Sequence, residues 1–258
     1  MRPRLPFILG TLPAAPVSRL WGHLKTRGRA GATLARVTRP APLAAAARLP
    51  LPGRYALLVF GLLLYGLSLR LMLDARVGVA PWEAFHLGVT RHLPLSIGVV
   101  SILTGVLIVA FTRLRLRERI GPGTVLNVLL IGLFLDVLGP LVPDPAALPL
   151  RWAQFGLGVA GLGLATGTYV AAGLGAGPRD GLILGLGRVT GWPVARVRTG
   201  IELGVLGLGW LLGGQVGWGT LAFALTSGPA MSAGLALYGL RRGRPGAAVP
   251  PEAGALPR

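Results

Sequence analysis

The chain has 258 residues, 52% of them hydrophobic and only 13% charged, with a mean hydropathy of +0.66. A soluble domain carries about 25% charged residues, so this composition excludes an ordinary water-soluble globule. The formal net charge of +18 invites a nucleic-acid reading, but no zinc spacing, aromatic platform or recognition helix accompanies it, and no nucleic-acid partner is expected. Cysteine is absent, which removes disulfides, thiolate metal sites and a cysteine nucleophile. Glycine is abundant at 41 residues, as in membrane helices whose backbones pack closely.

Residues 1–53 are rich in Arg, Pro and Ala and read as a basic, disordered cytoplasmic tail drawn to anionic lipid headgroups. The alternatives are an over-long start or a weak signal peptide, whose short apolar core is broken by Pro6 and Pro13. Six apolar runs then follow, each near the roughly 20 residues needed to cross a bilayer. They cover about Tyr55–Leu73, Leu95–Thr112, Thr124–Val142, Trp152–Leu174, Thr199–Leu212 and Gly219–Leu240. The first holds Arg70 one turn before Asp74; the fifth holds Glu202 one turn after Arg198. Two shorter apolar stretches, Trp82–Leu93 and Arg179–Val189, follow glycine–proline turns, with Pro81 and Pro178 placed to start short re-entrant or interfacial helices. A basic tail, 241–258, ends the chain.

Six spans put twenty-two Lys and Arg residues on one side and three (Arg76, Arg91, Arg151) on the other. The excess of positive charge in cytoplasmic loops then sets both termini in the cytoplasm of a bacterial inner membrane.

The second half repeats the first at an offset of 96 to 97 residues. Gly78-Val-Ala-Pro81-Trp82-Glu83 matches Gly175-Ala-Gly177-Pro178-Arg179-Asp180, and Gly121-Pro-Gly-Thr124 matches Gly217-Trp-Gly219-Thr220. A three-span unit is odd, so two copies lie in opposite orientations, as in many transporters. The expected fold is all-α: six transmembrane helices in two inverted repeats, 54–145 and 151–240, each with one added short helix.

Gly175 to Gly181, then Val197, Arg198 and Glu202, then Gly213-Gly214, Gly217 to Thr220 and Gly228-Pro229 resemble the YczE/YyaS-like bacterial membrane proteins, relatives of the YitT-type group. Leu71-Met72, Gly78 and Pro81-Trp82 resemble the first half of that pattern, and the resemblance spans about residues 55–240. It implies an integral membrane protein and brings no established reaction.

The sharpest candidate site is the turn carrying Arg179 and Asp180. Its backbone N–H groups can receive an anion or carboxylate with Arg179 as counter-charge; equally, Asp180 can cap the helix dipole while Arg179 meets lipid phosphate. Trp82 and Glu83, the matching pair, fall on the outer side, where Trp82 can serve as an interfacial anchor. Glu202 and Asp136 are acids well inside spans, where a charge costs about 2.5–3.5 kcal/mol, so each calls for a partner or a cavity. Arg198 pairs locally with Glu202; Asp136 has no local partner, and Asn127 points to the other side of the same helix. Thr124 and Thr220 either cap their helices or line a polar path. Gly163 with Gly167, Gly200 with Gly204 and Gly209 with Gly213 read as packing surfaces.

No enzyme is expected. His86 and His92 are six residues apart, a poor metal spacing, and no phosphate-binding loop or nucleophile elbow is present, so no catalytic residue, metal or cofactor is assigned. The leading reading is a small-molecule transporter or exporter whose cytoplasmic polar site is built from Arg179, Asp180, Arg198 and Glu202. The alternative is a non-transporting accessory or regulatory membrane protein. Homo-oligomers fit either.

Overall fold

The computed structural model describes residues 49–118, 120–175 and 177–240. The expected tails, apart from residues 49–53, lie outside that range. Those residues form α1 (Leu51–Asp74), α2 (Pro81–Thr90), α3 (Ile97–Leu114), α4 (Pro122–Val137), α5 (Leu148–Ala171), α6 (Pro178–Thr190), α7 (Val194–Leu211) and α8 (Trp218–Leu237), with one 3₁₀ turn at Gly139–Leu141 and no strand among them.

Punctuation in the sequence sets the boundaries. Pro81, Pro122 and Pro178 open α2, α4 and α6, where the missing N–H breaks no helical bond. Ser96 caps α3 by accepting from the Val99 N–H, and Gly191, in the left-handed region, closes α6. All eight apolar stretches read from the sequence become helices. By length and composition, α1, α3 and α8 are able to cross a membrane, and α4 is apolar but shorter. The other two expected spans fall short for visible reasons: α5 mixes Arg151, Gln154 and two threonines among its glycines, and α7 carries Arg196, Arg198 and Glu202.

Helix α5 lies at the centre, packed along α1 on one side and α8 on the other, while α1 also packs on α4. Small residues permit these approaches: a methyl on Gly61 would strike the backbone of Tyr169, and one on Gly167 would strike that of Gly234. Leu58, Leu62, Met72, Leu135 and Leu162 fill the space between. Large apolar side chains such as Phe60, Leu107, Leu157 and Leu225 instead point outward, well exposed, as a lipid-facing surface requires.

The short helices cross over. Helix α2 packs chiefly on α7, and α6 packs on α3. The breaks that precede them are built alike. Gly78 and Gly175 adopt φ of 133° and 128°, values that L side chains rarely reach. The Val77 carbonyl accepts from the Gly219 N–H at 2.7 Å, and the Leu174 carbonyl accepts from the Gly123 N–H at 2.8 Å. Each break is thus pinned to the start of the fourth helix of the opposite half.

One pair of seams differs. Gly98 of α3 and Gly132 of α4 meet so closely that a methyl on either would strike the other's carbonyl. By contrast α7 and α8 scarcely touch, and a methyl on Gly200, Gly204 or Gly228 would meet nothing among the described residues. Gly163 and Gly167 are packing surfaces as expected, and Gly209 packs on Phe85. Gly200 and Gly204 meet none of the described residues: α7 leans on α2 through its later residues.

Candidate functional site

A cavity of about 300 Å³ lies where the two short helices enter the body. It is built from the breaks upward. Each glycine turn sends its chain inward, and the following proline starts a helix whose first turn faces the interior. Glu83 and Asp180 both sit in those first turns, where a negative side chain complements the helix dipole.

The two N-terminal turns touch. Arg179 donates to Glu83 Oε1 from Nη2 at 3.3 Å and from Nη1 at 3.4 Å. Its guanidinium also stacks over the Trp82 ring, 4.8 Å from the centroid. These distances exceed the 2.7–2.9 Å usual for a charge-assisted bond, so the pair is loose. Glu83 is nonetheless buried, its side chain only 3% exposed, and Oε2 has no hydrogen-bond partner among the described residues. His86, one turn on and 1% exposed, has no partner at either ring nitrogen among the described residues. Buried polar groups are almost always bonded, and each one left unmade costs about 1–3 kcal/mol or more for a charge. Glu83 and His86 are both among the residues lining the cavity, which makes it the candidate site.

The remaining walls mix chemistry. Arg198 and Glu202 form an ion pair of 2.9 Å along α7, each more than a third exposed. Asn127 of α4 is buried close to Gly177 and Asp180. Tyr65 and Tyr169 cross edge to face with centroids 6.0 Å apart. Ser101, Thr104 and Thr166 add hydroxyls.

Of the residues singled out in the sequence, Arg179, Asp180, Arg198, Glu202, Trp82, Glu83 and Asn127 line this single cavity, with Pro81, Gly177 and Pro178 at its turns. Trp82 and Glu83, expected on the outer side, lie against Arg179 at this cavity. Both short helices dip into the body, so side chains from opposite breaks meet between them. Asp136 lies elsewhere: it accepts from the Ser96 hydroxyl and, at 2.9 Å, from the Gly98 N–H, so it braces the start of α3. Thr220 is a cap: its hydroxyl accepts from the Val79 N–H at 3.2 Å and the Gly217 N–H at 3.3 Å. Thr124 is buried beside Gly175 at the matching turn. Gly78, Gly175 and Gly219 serve the breaks themselves. Sequence reasoning passed over His86, weighed only as a metal partner for His92; its place three residues after Glu83, on the same helix face, was the usable signal.

The comparisons with known proteins agree with the membrane character of these helices. A model of a family of unknown function, DUF6198, matches residues 52–234. The "Uncharacterized membrane protein YczE" of Bacillus subtilis (strain 168) is 39% identical over 176 residues, covering 68% of this chain and 82% of that protein. An "Uncharacterized protein" of Haemophilus influenzae is 34% identical over 173 residues, 67% of this chain and 79% of its own length. No solved structure matches the chain.

Proposed function

The chain belongs to the DUF6198 family, and from that premise we propose that it is a small-molecule transporter of the bacterial inner membrane. Six helices span the bilayer in two inverted repeats, and both termini are cytoplasmic. The substrate site is the cavity between α2 and α6. One observation carries this reading: the loose pair of half-buried Arg179 with buried Glu83 joins the two breaks at the cavity and leaves Glu83 Oε2 without a partner among the described residues.

Side-chain contacts support the six-span scheme. Arg54 donates to the Ala172 and Gly173 carbonyls, and Arg188 reaches the Leu116 carbonyl and Glu118. In that scheme all these points lie on the cytoplasmic side. The Arg76–Asp144 ion pair and the His92–Leu212 contact join points assigned to the outer side. The closed α3–α4 seam beside an open α7–α8 seam supports alternating access, in which the two halves exchange roles and expose the site to each side in turn. The basic tails would hold anionic lipid headgroups on the cytoplasmic face.

The test is flux. Metabolite profiles inside and outside cells, with and without the gene, should differ for at least one solute, and Arg179→Ala should insert normally yet abolish that difference. If no solute redistributes and deleting residues 1–50 removes only association with a partner, the protein is the accessory factor instead.

A further inference from the structure

The seam between α3 and α4 changes character along its length. Gly98 and Gly132 bring the two backbones together, and Gly105 lies against Val128. Beyond Gly105, toward the C-terminal end of α3, the same two helices leave an open groove of about 370 Å³. Its lining includes Val106 and Ala110 of α3, Val125 and Leu129 of α4, and the buried Val128. Arg113, in the last turn of α3, is the one polar residue of that lining. Arg113, Arg115 and Arg117 are all exposed, and none of them is paired with a carboxylate among the described residues; the neighbouring Glu118 is taken by Arg188 at 3.0 Å. From this juxtaposition we infer that the groove binds an anionic phospholipid of the cytoplasmic leaflet, one acyl chain lying against Val106, Ala110, Val125 and Leu129 and the phosphate meeting Arg113.

The dimensions and the charge agree with that occupant. Arg113 stands about 12 Å along the helix from Gly105, close to the roughly 15 Å of hydrocarbon in one leaflet. Greasy walls ending in arginines on the cytoplasmic side of membrane helices suit an anionic headgroup with its chain attached. Other occupants fit less well. Free phosphate meets the arginine and leaves the groove unfilled. A zwitterionic lipid fills the groove but carries its own cation beside the phosphate. A second copy docking this same face would set Arg113 against Arg113, since a two-fold interface joins like patches. Val128 also lines the central cavity, so the bound chain would rest on the far side of that cavity's wall. The lipid site requires only that these helices lie in a membrane, and it stands whether or not the protein carries a solute.

The experiment offers the full chain, purified in detergent, equal amounts of dioleoyl phosphatidylglycerol and dioleoyl phosphatidylcholine, and reads the lipid retained by native mass spectrometry. Phosphatidylglycerol should be retained at least threefold over phosphatidylcholine. Arg113→Ala should cut that retention at least threefold, and Arg113→Lys should keep most of it. Ala110→Trp fills the groove and leaves every arginine of both basic tails in place, so its equal loss separates this site from headgroup attraction elsewhere. Val125→Trp, on the facing helix, supplies the same test if Ala110→Trp does not fold. Leu107→Trp is the control: Leu107 is 71% exposed on α3 and outside the groove, and its replacement should change nothing. Equal retention of the two lipids, full retention in both groove-filling variants, the same loss in Leu107→Trp, or displacement by an equal concentration of inorganic phosphate would each overturn the inference. A lipid-free dimer that Ala110→Trp dissociates would also overturn it, giving the groove to a second copy.

Discussion

Thr220 concentrates two jobs in one hydroxyl. It accepts from the Gly217 N–H at the start of its own helix and from the Val79 N–H in the opposite break. Valine has the same shape and no acceptor, so Thr220→Val would strand two backbone donors at about 1–3 kcal/mol each. The expected result is a clear fall in the midpoint of thermal unfolding in detergent, with most of it restored in Thr220→Ser. An unchanged midpoint for Thr220→Val would show that neither bond contributes. The capping role was visible in the sequence because Gly-x-Gly-Thr sits at the start of an apolar run. Asp136 was opaque for the opposite reason: its partners, Ser96 and Gly98, lie on another helix, about forty residues away, and helical spacing reveals only neighbours three or four apart. Glu83 and Arg179 fall between these cases. The repeat identified both, but only the inward path of the two short helices brings them together.

The helices themselves were legible because glycine and proline mark nearly every end, and those residues act through local backbone geometry. Which helices pack was not legible, because the same small-residue spacing occurs on covered and uncovered faces. Gly132 and Gly204 make the contrast measurable. At Gly132 a methyl would press into the Gly98 carbonyl and Ile102, so Gly132→Ala should destabilise by about 1–3 kcal/mol. At Gly204 a methyl meets nothing among the described residues, and alanine is the better helix former by about 1 kcal/mol, so Gly204→Ala should be neutral or stabilising in the monomer. Unfolding midpoints of the two variants decide this. A loss of stability for Gly204→Ala together with a smaller particle in size-exclusion chromatography would assign the bare α7 face to a second copy.

At the scale of the whole molecule, orientation ties the arginine distribution to the repeat. In the proposed six-span scheme α1, α3, α4, α5, α7 and α8 each cross once, α2 and α6 enter and leave by the same side, and twenty-two basic residues fall on one side against three. The natural sequence has no cysteine, so a single introduced thiol reports its own location without background. That scheme assigns Ala146, in the exposed connection between α4 and α5, to the outer side, and Trp192, exposed between α6 and α7, to the cytoplasmic side. A membrane-impermeant maleimide applied to intact cells should therefore label Ala146→Cys and spare Trp192→Cys, and inside-out vesicles should reverse the pattern. Labelling of both from one side would mean an odd number of crossings has been lost between them. The α4–α5 and α6–α7 connections would then share a face, the two halves could not be inverted copies, and the exchange of open and closed seams that alternating access needs would have no structural basis.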